Sequence, residues 1–147
     1  MEWRTDWLYA LIFAEVRRVW YRAQHDAVSG GAAFGSAPNL FVVSEYEKGD
    51  PSKSRCFAPA KRRWHFRGGD DFGLLDGDVT TVVSGGRPQG MFYDVGRVGF
   101  FITEDRRLVV FEYILGPRYA RGILLEVEGQ GRGARLNPSG EGVRWQA

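Results

Sequence analysis

Only one stretch of this chain spaces its apolar residues as a helix does. Between residues 2 and 28, Leu8, Ile12, Val16, Val19 and Ala23 recur at steps of three and four, which sets them on one face. Trp7, Leu11 and Trp20 widen that stripe, while Glu15, Arg18 and Arg22 mark its opposite margin. Tyr9 and Phe13 fall outside it, so this helix is expected to be buried on more than one side. "SGG" (29–31) is a plausible stop. After Pro38 the apolar period becomes two and stays there. A chain with one helix followed only by strands lacks crossover helices to support a parallel sheet. The doubly wound nucleotide-binding folds are excluded on that ground.

The strands read as "NLFVVSEYE" (39–47), "RRWHFR" (62–67), "FGLL" and "DVTTVV" about the hairpin pair Asp76-Gly77, "MFYDV" (91–95), "VGFFIT" (98–103), "LVVFEYIL" (108–115) and "GILLEVE" (122–128). "KGDPSKS", "GRPQG", "EDRR" and "GPRY" separate them as turns. The tail, 129–147, is Gly-rich, with "ARL" and "VRW" placed to form a last short hairpin. Hydrophobic residues are 44% of the 147 and aromatics 14%, enough to build one core. The expectation is a single α+β domain over 1–147. Its N-terminal helix, 1–28, packs on a large curved antiparallel β-sheet formed by 39–128, open or partly closed into a barrel.

Composition excludes several classes. Cys56 is the sole cysteine, so no internal disulfide forms. The run "WLYALIFA" falls short of the roughly 20 residues of a membrane span, and "MEWRTD" before it is not net positive. No membrane association is expected, and a cytoplasmic location follows by default. Charge is balanced, 20 basic residues against 18 acidic, but 17 of the basic ones are Arg, the residue better suited to interfaces.

Catalytic motifs are scarce. Cys56 with His65 or His25 matches no nucleophile motif. His25, Cys56 and His65 lack the short ligand spacings of zinc sites. Asp70, Asp71, Asp76 and Asp78 read as turn chemistry, without the ligand register of a calcium loop. "GGAAFGS" leads into Pro38 and a strand, whereas a phosphate cradle needs a helix N-terminus after it. No metal and no cofactor is expected. Glu45, Glu47, Glu112, Glu126 and Glu128 lie on strands whose facing the sequence leaves open.

Two places remain as candidate sites. From Lys53 to Arg67 there are six basic residues and no acidic one. Alternation sends Trp64 and Phe66 to the face opposite Arg63, His65 and Arg67, which separates stacking rings from phosphate-binding charges and disfavours a nucleic-acid site. The turn "LGPRYARG" offers Arg118, Tyr119 and Arg121, residue types enriched at interface hot spots. The expected function is therefore a non-enzymatic protein-binding module, of an inhibitor or toxin-immunity kind. It would act through Arg118, Tyr119 and Arg121, or through Arg62, Arg63, His65 and Arg67. Its plan is similar to that of small bacterial binding proteins, immunity proteins among them, at the level of fold alone. Two alternatives stand beside it. One is a small-molecule or enzymatic pocket between helix and sheet, lined by Trp7, Phe13, Glu15, Trp20 and Tyr21. The other is nucleic-acid binding through residues 53–67.

Overall fold

The computed structural model describes residues 2–28, 38–52, 59–75, 95–116 and 119–146. Within them a short 3-10 turn, Trp3–Thr5, leads into one helix, α1 (Trp7–Val28). Seven strands follow: β1 (Leu40–Tyr46), β2 (Ala60–Phe66), β3 (Phe72–Leu74), β4 (Val95–Ile102), β5 (Leu108–Gly116), β6 (Tyr119–Glu128) and β7 (Arg135–Gln146). They form one sheet in the order β3-β2-β1-β4-β5-β6-β7, not closed into a barrel. The hairpin expected at Asp76-Gly77, the strand "DVTTVV", the turn "GRPQG" and most of "MFYDV" lie outside the described residues.

The sheet is mixed rather than wholly antiparallel. β1 runs parallel to β4, with Phe41 opposite Gly96 and Ser44 opposite Gly99. All other neighbours are antiparallel. Parallel pairing needs a long return path rather than a helix as such. Here the chain leaves β1 on one side through β2 and β3 and comes back to pair on the other. The tail also departs from expectation. Residues 135–146 form no hairpin on themselves but one strand along β6, where Leu125 meets Pro138 while Ile123 meets Val143. The excess residues on β7 make a bulge there.

The helix begins later than the apolar pattern implies, because Asp6 caps it. Its Oδ1 accepts the Leu8 amide at 2.9 Å and also receives Arg106 Nη2 at 2.8 Å. Arg106 sits in the β4–β5 hairpin at φ 57°, an unusual conformation for a residue with a Cβ, and its guanidinium lies 5.5 Å from the Trp7 ring centroid. Burial works against the Asp6 charge, but the Arg106 and amide hydrogen bonds outweigh it and hold the carboxyl below its ordinary value. A lowered folded pKa gives stability that is present above the unfolded value of 3.8 and lost as pH falls through the folded one. Asp6→Asn keeps a good cap without the charge, and is expected to cost about 1 kcal/mol near neutral pH. In urea titrations the gap to wild type should stay whole down to about pH 4 and close as pH falls further, through the lowered folded value. A gap that stays unchanged on that further acidification would refute this account of the cap.

One face of the sheet packs on α1. Leu8, Ile12, Phe13 and Val16 from the helix are fully buried against Phe41, Val43, Trp64, Phe66, Phe100 and Phe111. Phe13 stacks on Phe72 at 4.4 Å and meets Trp64 edge-on at 5.0 Å. Trp20 reaches Phe41 and Phe66 edge-on, at 5.1 and 5.4 Å. Such rings dominate core energetics through the area they bury.

Candidate functional site

Alternation along β2 divides the basic stretch as its sequence implies, with one correction. Trp64 and Phe66 are fully buried on the helix side, and Arg63 and His65 stand on the opposite, open face, with Arg67 exposed just past the strand end. Arg62 does not join them. It shares the parity of Trp64 and turns inward, where its Nε donates to Glu45 Oε1 at 2.9 Å and its Nη2 to the Tyr9 hydroxyl at 3.0 Å. Tyr9 donates in turn to Glu45 Oε2. Burial, then the Glu45 carboxylate, push the Tyr9 hydroxyl far above its ordinary pKa, so it remains a neutral donor. Glu45 is 4% exposed. This trio ties α1 to β1 and β2, and Arg62 is occupied there rather than offered to a partner.

The residues expected to line a pocket between helix and sheet are spread over four settings. Phe13 and Trp20 are core. Glu15 is partly buried and accepts from Arg18 Nε at 3.0 Å. Tyr21 is exposed. Trp7 lines a hollow of about 360 Å³ at one end of the sheet, together with Arg106, Arg107, Val127 and Gln130. Among the described residues, aromatic rings pack in the space under the helix where the alternative reading places a ligand.

The turn site is placed only in part. Arg118 lies outside the described residues, and Tyr119 is the first residue of β6, opposite Gly116. Arg121 sits within β6 opposite Tyr113, on the parity of Ile123 and Leu125, so it belongs to the helix-side face. Its Nε is buried without a hydrogen-bond partner among the described residues.

The open face carries a site that sequence reasoning missed. A groove of about 430 Å³ is lined by Ser44, Tyr46, Arg63, Arg97, Glu112 and Ile114, among others. The register explains why it is a groove. Across β2, β1, β4, β5, β6 and β7, one row runs Arg63, Ser44, Gly99, Glu112, Gly122, Trp145. The two glycines bracket Glu112 and bear no side chains. Tyr46 lies over Gly99, where an added Cβ would come 2.4 Å from its ring, and Trp145 lies over Gly122 at 2.2 Å. Between these rings Glu112 is only 8% exposed. In the next row Arg97 stands between Val42 and Ile114.

Electrostatically the groove is two-ended. Arg63 and Arg97 are exposed and make no ion pair with any described residue. They flank β1, Arg63 opposite Ser44 and Arg97 opposite Val42, and both line the groove with Ser44. On the other side are Glu112 and, along β6, the exposed Glu126 and Glu128, the last bridged to Arg135 at 3.4 Å. Among the described residues no group of His, Cys, Asp and Glu is placed to hold a metal ion, and no helix is long and apolar enough to cross a membrane. Comparison with protein-family models, curated proteins and solved structures finds no match for this chain.

Proposed function

We propose that this chain is a non-enzymatic protein-binding module that receives its partner on the open face of the sheet. The observation that carries this reading is the contrast between the two faces. The helix side is filled with interlocking rings, while the opposite face buries only a small apolar cluster about Val110 and Leu124 and keeps beside it a groove whose two arginines have no partner among the described residues. Arginine beside tyrosine in a recess is the composition of interface hot spots. A nucleic-acid partner is less favoured. Trp64 and Phe66 are buried away from Arg63 and do not stack bases beside it, and Glu112, Glu126 and Glu128 on the same face repel a phosphate chain.

A second reading rests on the groove's size, which falls within the roughly 300–1,000 Å³ of small-molecule sites. It moves the ligand pocket from beneath the helix to the opposite face. The test is capture from nuclease-treated lysate of the native host, using tagged wild type, Arg63→Glu and, as a control at the far turn, Arg132→Glu. One stoichiometric protein is expected with wild type and Arg132→Glu and is expected to be lost with Arg63→Glu. Capture indifferent to Arg63→Glu removes the open face as the site. Loss of every captured species on nuclease treatment reverses the choice of partner class.

A further inference from the structure

Resting on that reading, we infer that the groove is a receptor for a short acidic segment of the partner, one carboxylate of which is held between Arg63 and Arg97. Guanidinium groups bind carboxylates bidentately, and a pair converging from either side of β1 can clamp one from both flanks. Neither arginine is spent on a described acidic neighbour, even though Glu112 stands in the same groove. The floor between them is Ser44, a hydroxyl short enough to leave room and able to donate to the incoming group.

The walls set what flanks the carboxylate. Val42 and Ile114 border Arg97, and Ile114 is 43% exposed, a large apolar side chain left open beside a charge. A segment alternating acidic and apolar residues places both kinds of group where they are met. Glu112 at the other end sets a limit. A carboxylate there opposes a second acid, so the groove selects one well-placed carboxylate over a dense run of negative charge. This is why a protein segment fits better than a polyphosphate.

The experiment is fluorescence anisotropy with the full chain and three labelled probes. They are the peptide Gly-Leu-Glu-Ile-Ser-Leu-Gly, its twin with Gln in place of Glu, and a single-stranded oligonucleotide of about 12 nucleotides. The Glu peptide is expected to bind about tenfold or more tightly than its twin. Arg63→Ala and Arg97→Ala should each remove most of that preference, and Glu112→Gln should keep it. Equal binding of the two peptides, or wild-type binding by Arg63→Ala/Arg97→Ala, overturns the inference. If a protein is nonetheless captured from lysate in an Arg63-dependent way, the binding-module reading survives and only the carboxylate receptor falls. If the oligonucleotide binds more tightly than the Glu peptide and needs Arg63, both fall. Circular dichroism of each variant confirms that it is folded.

Discussion

Phe13→Ala is expected to lower the unfolding free energy by about 3–5 kcal/mol, the usual cost of deleting a buried aromatic side chain. The position justifies the upper part of that range. Phe13 is fully buried and touches rings on three sides: Trp3 at 5.0 Å, Phe72 at 4.4 Å and Trp64 at 5.0 Å. Those rings are themselves fixed from behind, Phe72 by a stacked Phe66 and Trp64 by a stacked Phe100. A hole left by Phe13 therefore has little to collapse into it. A domain stable by about 5–15 kcal/mol loses a large share of its margin. Urea denaturation followed by tryptophan fluorescence measures the change, and Phe13→Leu should recover part of it. A loss below about 1 kcal/mol would mean that the cluster repacks freely.

Glu45→Ala is expected to be nearly as damaging, for a different reason. It removes the acceptor of both Arg62 and Tyr9, leaving a half-buried guanidinium beneath the helix without its counter-charge. Breaking a buried pair from one side costs about 3–5 kcal/mol. The Arg62 side chain keeps 27% of its exposure, so solvent relieves some of this, and a loss of about 2–3 kcal/mol is expected. Glu45→Ala with Arg62→Met should cost less than the sum of the single changes, since the second removes the charge the first strands. Additive losses across that cycle would show that the pair is not coupled.

The division of the fold into one helix and a run of strands was legible because both signals are local. Leu8 to Ala23 repeat at helical spacing, and "RRWHF" alternates plainly enough to place Trp64 inside and Arg63 outside. Alternation also puts Arg62, one residue earlier, on the buried parity, but it could not show what receives a charge there. A charged residue at an inward position is recognised only once its partners Tyr9 and Glu45 are known, and they come from elements far apart in sequence. The tail misled for a related reason. "ARL" and "VRW" flank a turn-like Asn137-Pro138-Ser139-Gly140, yet β6 offered a longer ladder, and tertiary pairing overrode local turn chemistry. The groove was hidden most deeply. Ser44, Gly99 and Glu112 become neighbours only through the β1–β4 pairing, which no turn announces. A local hint did exist: in "GRVGFF" Gly99, two residues after Arg97 and on the same side of the strand, leaves a gap beside it.

That same pairing has a consequence for how the chain reaches its fold. A hairpin takes its register from its turn, but β1 and β4 must find each other across everything between Tyr46 and Val95, after a costly loop closure. Phe41 lies over Gly96 on the helix side, where a Cβ would stand 2.4 Å from its ring, and Tyr46 lies over Gly99 on the other. Slipping by one residue drives Phe41 against Val95 or Arg97 and Tyr46 against Val98 or Phe100, on both faces at once. The pairing between the strands furthest apart in sequence is thus checked by two missing side chains, and a Cβ at either glycine would penalise the correct register as heavily as a slip penalises the wrong one.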